Sequence, residues 1–281
     1  MAKAGSITLH LSLIYCGISH NYSEIYYEHI FSDPRVENWF LMKSPVPTLL
    51  IVAAYLLICI CGPMLMKNRK PFNLKFLIIP YNFALVGLSA YMFYELLMSA
   101  ILANYSLKCQ PVDYSNNPLS LRMARVNWLF FFSKFIEFFD SFFIILRGKT
   151  NQLSFLHVYH HSTMVIIWWS GVKYVAGGQS FFIPLLNSFV HTMMYVYYGL
   201  AAIGPHMQKY LWWKRYMTRI QLTQFVMVLV HSGYNMFMTN CNFHQGFNVA
   251  AMSYSLSLTL LFTNFYVREY IHIQKQKQHK N

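Results

Sequence analysis

The sequence predicts an all-α integral membrane protein with seven transmembrane helices, and two features support this fold class. First, 56% of the 281 residues are hydrophobic and only 11% are charged, a composition outside the range of ordinary soluble domains. Second, the apolar residues cluster into seven stretches of about 20 residues, the length that a helix needs to cross a bilayer. The alternating pattern typical of membrane barrel strands is absent from the sequence, which leaves helices as the spanning elements.

The seven stretches leave no room for a separate soluble domain. They cover about 47–66, 76–103, 127–146, 154–172, 180–202, 213–238 and 247–267. Pro45 and Pro47 stand where the first helix begins, a place where a missing backbone N–H costs least. We therefore divide the chain into an N-terminal segment (1–46), a seven-helix membrane domain (47–270) and a basic tail (271–281).

The basic residues predict the orientation in the membrane. If the N-terminus is luminal, fourteen Lys and Arg residues fall on the cytosolic side and seven on the luminal side. The positive-inside rule favours this arrangement, with the C-terminus cytosolic. Two glycosylation sequons, at Asn21 and Asn104, also fall on the luminal side. Anionic lipid headgroups or a phosphate-bearing substrate at the cytosolic face explain the net charge of +13, so no nucleic-acid partner is implied.

Two of the five cysteines are candidates for a disulfide. Cys109 and Cys241 both lie just outside predicted helices on the luminal side, where oxidation is allowed. Cys59 and Cys61 lie inside the first helix, where a packing role is expected. The sequence therefore predicts a disulfide between Cys109 and Cys241.

Ionisable side chains occur inside the third predicted helix, where each needs a partner or a purpose. Lys134, Glu137 and Asp140 follow one another in steps of three, which places them along one side of a helix. One interpretation is a buried ion pair that fixes the helix register. The other is a set of charges that face a wet cavity.

The fourth predicted helix begins with three histidines on one turn. His157, His160 and His161 are three and four residues apart, so their imidazoles share a face. A single membrane histidine is most often a helix-contact residue, but three on one turn are not explained that way. Metal binding, or acid–base and nucleophilic chemistry, is the functional interpretation.

Polar residues on the next two helices predict that the histidines face a polar chamber inside the bundle. Those on the fifth and sixth helices recur at spacings of three and four, so each set shares one face of its helix. They are Asn187, His191, Tyr195 and Tyr198 on the fifth helix, and Gln221 and Gln224, after Thr218, on the sixth. Alone, the sixth-helix pattern would indicate ordinary interhelical hydrogen bonding.

Taken together, these patterns resemble a known family over about residues 33–270. The four elements are Lys134-x-x-Glu137-x-x-Asp140, Gln152-x-x-Phe155-Leu156-His157-x-Tyr159-His160-His161, Asn187-x-x-x-His191-x-x-Met194-Tyr195-x-Tyr197-Tyr198 and Thr218-x-x-Gln221-x-x-Gln224. In this order on four successive helices, they resemble the very-long-chain fatty acid elongases of the endoplasmic reticulum, which are membrane 3-ketoacyl-CoA synthases.

The resemblance implies a decarboxylative condensation in the endoplasmic reticulum membrane. An acyl-CoA is extended by two carbons from malonyl-CoA, which gives a 3-ketoacyl-CoA, CoA and CO2, and no cofactor or metal is needed. The bundle would then enclose a substrate tunnel for a long or very long acyl chain. Homo- or hetero-oligomers with other elongases, and association with the reductases and dehydratase of the elongation cycle, are further expectations.

We hypothesise that histidine replaces the cysteine nucleophile of soluble condensing enzymes, because no cysteine lies on a polar face. His160 would form an acyl-imidazole, supported by His157 and His161. His191 and Asn187 would bind the malonyl thioester oxygen. The three ionisable residues of the third helix would orient the imidazoles or the thioester. Sequence alone leaves open which histidine is acylated.

Further residues are candidates for substrate binding. Tyr195, Tyr198, Gln221 and Gln224 would line the chamber. The candidates for binding the CoA phosphates are Lys149, Lys209, Lys214, Arg215 and Arg268. For these five, solvated loop charges are the alternative interpretation.

Two other classes of protein compete with this interpretation. A histidine-box, metal-dependent fatty acyl desaturase or hydroxylase needs on the order of eight imidazoles for two irons, and only five histidines lie within the predicted helices. A seven-helix receptor or transporter would use the same polar residues as a ligand site or proton relay. The sequence lacks the inverted repeat and the Gly/Pro-broken helix pair of many transporters.

Overall fold

The computed structural model describes residues 32–238 and 241–272, and within these ranges the chain is all-helical. It contains eight α-helices there: α1 Pro45–Met66, α2 Lys75–Leu102, α3 Pro118–Ile136, α4 Phe138–Leu146, α5 Phe155–Val175, α6 Phe182–Ile203, α7 Lys214–Met236 and α8 Gln245–Tyr266. Short 3-10 helices cover Thr150–Gln152, Gly178–Phe181 and Pro205–Tyr210, and a π-helix, Val267–His272, follows α8.

The predicted stretches agree with these helices except in the third. Six of the seven each overlap one helix, whereas residues 127–146 overlap two, α3 and α4. The prediction of one continuous helix there is wrong at Glu137, which stands between the two helices. Helix α3 also begins earlier than predicted, at Pro118, because the Asn117 side chain caps it by accepting from the backbone N–H of Leu119.

Local sequence explains where the helices that frame the histidines begin. Ser44 caps α1 by accepting from the N–H of Val46, and Pro45 occupies the first helical position. Ser154 caps α5 by accepting from the N–H of His157 at 3.2 Å. The three histidines therefore lie in the first two turns of a capped helix.

Six of the helices form a closed ring. Helix α5 packs against α3, α3 against α2, α2 against α6, α6 against α7, α7 against α8, and α8 back against α5. Helix α1 lies outside this ring and contacts α4 and α5. This arrangement places the three-histidine turn of α5 beside the interior of the ring.

The apolar surface of α1 agrees with a bilayer environment. Its outward side chains include Leu50, Leu57 and Leu65, which are 61–69% exposed. In the two described ranges, two helices, Pro45–Met66 and Lys75–Leu102, are long and apolar enough by themselves to cross a membrane. The other helices are either shorter, as α4 is, or less apolar along their length.

A buried ion pair fixes the residues before α1. Arg35 pairs with Asp33, and its guanidinium also donates to the backbone carbonyls of Ser120 and Ala176. The backbone N–H of Asp33 donates to the carbonyl of Lys173. The segment 32–44 is therefore tied to the start of α3 and the end of α5. Residues 1–31, including the Asn21 sequon, and most of the tail lie outside the described residues.

The predicted pairing of Cys109 with Cys241 is present as a disulfide across 132 residues of sequence. It joins the loop after α2 to the connection between α7 and α8. The α7–α8 hairpin is therefore fastened to the rest of the ring at this end.

We expect the Cys109→Ser variant to be less stable by about 2–4 kcal/mol, because the unfolded chain loses a long-range restraint. Thermal unfolding in detergent would measure the change. The matched control is Cys61→Ser, since Cys61 is an exposed free cysteine on α1. Equal melting temperatures for the two variants would contradict the expectation.

Candidate active site

A buried ion pair at the break between α3 and α4 ties these helices to α6. Lys134 Nζ donates to Glu137 Oε1 at 2.7 Å and to Asn187 Oδ1 at 3.1 Å. The side chains of Lys134 and Glu137 are each only 2% exposed. The geometry matches the first interpretation, a buried ion pair, and Lys134 also contacts Asn187 on α6. Neither Lys134 nor Glu137 lines the cavity between α5, α6, α7 and α8.

His191 lies beside the same carboxylate. Its Nδ1 is 3.3 Å from Glu137 Oε1, without the geometry of a hydrogen bond. Within the described part of the chain, Glu137 Oε2 also has no hydrogen-bond partner. One carboxylate thus contacts a lysine and a histidine and keeps one buried oxygen unpaired.

Asp140 does not join this group but has a partner of its own. Tyr195 Oη donates to Asp140 Oδ2 at 2.9 Å, and the Tyr195 side chain is fully buried. The break at Glu137 thus separates two polar contacts to α6, one through Glu137 and one through Asp140. The expectation of three charges along one side of a single helix holds only for Lys134 and Glu137.

The three histidines of α5 contact one another and do not face lipid together. The ring centroids of His157 and His161 are 4.4 Å apart, and those of His160 and His161 are 5.4 Å apart. His157 Nε2 is hydrogen-bonded to Ser141 Oγ at 2.8 Å, and Ser141 Oγ to Tyr55 Oη at 2.9 Å. This chain of hydrogen bonds links α5 to α4 and α1.

A cavity of 290 Å3 lies between α5, α6, α7 and α8. His160, Asn187 and Gln224 line one end of it, so three of the predicted residues from three helices face one space. Farther along, the wall is mostly apolar and includes Met164, Ile167, Trp168, Phe225, Val228 and Leu258. Within α5, His157 and His161 do not line this cavity, which distinguishes His160 from its two neighbours.

Three of the four chamber residues predicted to bind substrate, Tyr195, Tyr198 and Gln221, do not line this cavity, and neither does the predicted catalytic residue His191. Tyr198 is 42% exposed on the outer side of α6. Gln221 does not line the cavity, and its Nε2 donates to Met194 Sδ at 3.6 Å. Gln224, one turn later on α7, does face the cavity.

The five basic candidates lie at one end of the bundle. Lys149 precedes α5, Lys209 precedes α7, and Arg268 follows α8; all three are exposed. Lys214 pairs loosely with Glu269 at 3.4 Å, and Arg215 Nε donates to Tyr266 Oη at 3.0 Å.

Sequence reasoning missed three residues that the structure connects to the site. Ser141 and Tyr55 hold His157, and Gln179 lines the far end of the cavity. The sequence offers one signal for them, since each is a polar side chain within or beside an apolar stretch. None of the three, however, is spaced three or four residues from a histidine, so helical spacing does not assign it to the site. In residues 32–238 and 241–272, no three His, Cys, Asp or Glu side chains are placed to hold one metal ion.

Comparisons with known proteins show which family this chain belongs to. The model of the ELO (GNS1/SUR4) family matches residues 40–279. Very long chain fatty acid elongase 4 of Homo sapiens is 51% identical over 249 residues, 89% of this chain and 79% of that protein. Elongase 7 of Rattus norvegicus is 51% identical over 241 residues, 85% of this chain and 86% of that protein. Elongase 1 of Homo sapiens is 48% identical over 242 residues, 85% and 86% of the two chains.

The types of elongase found agree with the resemblance carried by three loop segments. The segments 112–117, 175–179 and 211–216 resemble the type-four elongase, with types one and seven close behind, and the same three types are among the relatives found. The family match covers the four polar motifs and the residues that line the cavity. This chain therefore belongs to the ELO family, the family of the very-long-chain fatty acid elongases.

Proposed function

We propose that this chain is the condensing enzyme of fatty acid elongation and works through an acyl-histidine. The reaction joins an acyl-CoA to malonyl-CoA and yields a 3-ketoacyl-CoA two carbons longer, CoA and CO2. The observation that carries the proposal is the position of His160, which borders an elongated apolar cavity beside Asn187 and Gln224. A nucleophile at the end of an apolar cavity suits a substrate with a reactive head and a long hydrocarbon tail.

In the first half-reaction, an imidazole nitrogen of His160 attacks the acyl thioester carbonyl. The C–S bond breaks, and the CoA thiolate leaves with a proton from the imidazole. An acyl-imidazole hydrolyses in open water, and burial inside the bundle protects it. His157 and His161 support this turn of α5, since His157 is hydrogen-bonded to Ser141 and its ring centroid lies 4.4 Å from that of His161.

In the second half-reaction, malonyl-CoA loses CO2 and its enolate attacks the acyl-imidazole carbonyl. The C–N bond to His160 breaks, and the departing ring nitrogen takes up a proton from solvent, which restores the neutral imidazole. Asn187 and His191 stabilise the enolate oxygen, and Lys134 and Glu137 hold them in place through the contacts at 3.1 Å and 3.3 Å. Preorganised polar groups in a dry site are the main source of such stabilisation.

The remainder of the substrate extends in two directions from His160. The acyl tail occupies the cavity, which serves as the substrate tunnel. The CoA phosphates lie at the end of the bundle that carries the basic candidates, where Lys149, Lys209 and Arg268 are exposed. The reaction uses no cofactor or metal. Association with other elongases, and with the reductases and dehydratase of the cycle, is part of the same proposal.

An elongation assay tests the proposed function. Purified protein in lipid vesicles, given malonyl-CoA and a panel of labelled long-chain acyl-CoAs, should release CO2 and form 3-ketoacyl-CoA products. Omitting malonyl-CoA is the control. Formation of a product with unchanged carbon number and two fewer hydrogens, dependent on iron and oxygen, would instead identify a desaturase.

We also propose that the chain crosses the membrane of the endoplasmic reticulum seven times, with the N-terminus luminal and the C-terminus cytosolic. Helices α3 and α4 together form one of these spans, because neither helix alone covers the predicted stretch 127–146. The basic loops before α5 and α7 then face the cytosol, in agreement with the positive-inside rule. Asn104 follows α2 at the opposite end and is exposed.

This orientation predicts that Asn104 carries a glycan. Expression of the chain with microsomes should give a band that glycosidase treatment shifts, and Asn104→Gln should remove one glycan. Asn21→Gln provides the matched test of the other sequon. A chain that is glycosylated at neither position but is modified at a sequon engineered into the α4–α5 loop would reverse the proposed orientation.

A further inference from the structure

The loop after α2 packs against the end of the cavity that lies away from His160. Gln179 lines the cavity there and is buried, and its Nε2 donates to the backbone carbonyl of Leu107 in that loop at 3.1 Å. A Cβ on the neighbouring Gly178 would lie 2.8 Å from the backbone nitrogen of Val112 in the same loop. This tight packing obstructs a chain that would continue past this end.

The side of the cavity between α5 and α8 is different, because residues of its wall also belong to the outer surface. At the start of α8, three residues that line the cavity are exposed: His244, Gly246 and Ala250. On α5, Ile167 and Ser170 line the cavity and are half-buried. A wall residue that is also exposed marks a place where the cavity meets the outside. The cavity therefore opens sideways between the second half of α5 and the first turns of α8.

Contacts between α5 and α8 bound this opening at both ends. Toward the three-histidine turn, Thr163 Oγ1 and Tyr254 Oη are hydrogen-bonded at 2.9 Å. Toward the other end, the rings of Tyr174 and Phe247 have centroids 6.3 Å apart. Between these two contacts, α8 presents the small side chain of Ala250. The opening is therefore a defined gap in the wall and not a general separation of the two helices.

The outer surface beside the opening is apolar. Ile166 on α5 and Val249 and Leu256 on α8 are 41–47% exposed. A Cβ on Gly246 would have no heavy atom within 4 Å, so the rim of the opening has free space. Ala250 lies roughly 8 Å along α8 from its first residue. In the proposed seven-span topology the opening thus lies within the bilayer, and a chain that leaves the cavity here enters lipid and not water.

Resting on the proposed function, we propose that this opening lets the end of a long acyl chain leave the cavity and lie in the bilayer while its thioester stays at His160. A closed cavity would set an upper limit on chain length, because a packed interior has no room for further methylenes. An open side removes this limit, since lipid is as apolar as the cavity wall. The substrate class therefore includes acyl chains longer than the cavity, and Ala250 is a residue that decides whether they are accepted.

Photolabelling of the wild-type protein in phospholipid vesicles tests where the chain end lies. Acyl-CoAs of increasing length, each with a diazirine at the terminal carbon, are bound without malonyl-CoA, irradiated and analysed by mass spectrometry. Short chains should label wall residues such as Met164 and Phe225, and beyond one length the label should move to Val249. An excess of unlabelled short acyl-CoA, which occupies the cavity, should remove both labels. Label that stays on the wall at every length, or that moves to Gln179, would overturn the proposal.

Ala250→Trp tests the opening itself. The new side chain points toward the start of α8, as side chains on a helix do, and covers the free space beside Gly246. The ratio of kcat/KM for a chain longer than the cavity to that for a short chain should fall by about tenfold for every two methylenes that lose their place. Val249→Trp is the matched control, since Val249 is exposed and does not line the cavity; its ratio should stay within about twofold of the wild type. An unchanged ratio in Ala250→Trp would overturn the proposal. If this variant does not fold, photolabelling of the wild type decides alone.

The outcomes also separate this inference from the proposed function. Failure to elongate any acyl-CoA, short or long, would contradict the proposed function. Elongation with the same ratio of long to short chains in Ala250→Trp and the wild type would leave that function intact and overturn the inference about the opening.

Discussion

Replacement of His160 by Ala is expected to lower the condensation rate by at least about a thousandfold while the bundle stays folded, as is typical when a nucleophile is removed. His160 is the residue of the three-histidine turn that borders the cavity, and its ring contacts His161 without carrying the bond to Ser141. Its loss should therefore remove the reacting group and leave the contacts between helices in place. Turnover of purified protein and thermal unfolding would be measured together.

The matched control is His206→Ala, because His206 is exposed in the 3-10 helix before α7. Its activity should stay within about twofold of the wild type. Incubation of wild-type protein with acyl-CoA alone, followed by rapid quenching and mass spectrometry, should give an acyl adduct on the peptide that contains residues 155–165. An adduct elsewhere, or full activity in His160→Ala, would show that His160 is not the nucleophile.

The positions of the helices could be predicted from the sequence, because a long apolar stretch in lipid has few alternatives to a helix. The break between α3 and α4 at Glu137 could not be predicted from the sequence. Neither Gly nor Pro stands near it, and the residues on both sides are apolar and aromatic. The contacts found at the break are tertiary: Glu137 approaches His191 on another helix, and Lys134 donates to Asn187 there, contacts that no local propensity encodes.

The sequence predicts those parts of the site that depend on helical spacing alone. The spacing of three and four places His157, His160 and His161 on one turn, and the structure has their rings in contact. Spacing cannot say which neighbour each ring meets. His157 is hydrogen-bonded to Ser141, and Ser141 is hydrogen-bonded to Tyr55, which lies 86 residues earlier in the sequence. The second bond depends on how α1 packs against α4.

Gln179 illustrates the same limit. In the sequence it is one polar residue after two glycines, in a segment that connects two helices. Its importance comes from the ring of helices, which places the end of the cavity at this connection, and from the bonds to Leu107 and His231. Long-range packing, and not the local sequence pattern, makes Gln179 part of the cavity wall.

Replacement of Lys134 by Met is expected to destabilise the protein by about 3–5 kcal/mol, since it leaves the Glu137 carboxylate buried without its lysine. The ammonium also lies 4.1 Å above the Phe130 ring, a contact that Met does not reproduce electrostatically. Denaturant unfolding in micelles would measure the loss. The matched control is Lys149→Met, because Lys149 is exposed and precedes α5.

The double variant Lys134→Met/Glu137→Met separates the structural role of the pair from its role in the site. Removing both charges leaves no buried unpaired ion, so most of the lost stability should return. Activity should not return, because Asn187 loses the donor at 3.1 Å and His191 loses the carboxylate at 3.3 Å. If the double variant instead regained both stability and turnover, the pair would serve only to fix the register of α3 against α6, and the enolate would have to be stabilised by other groups.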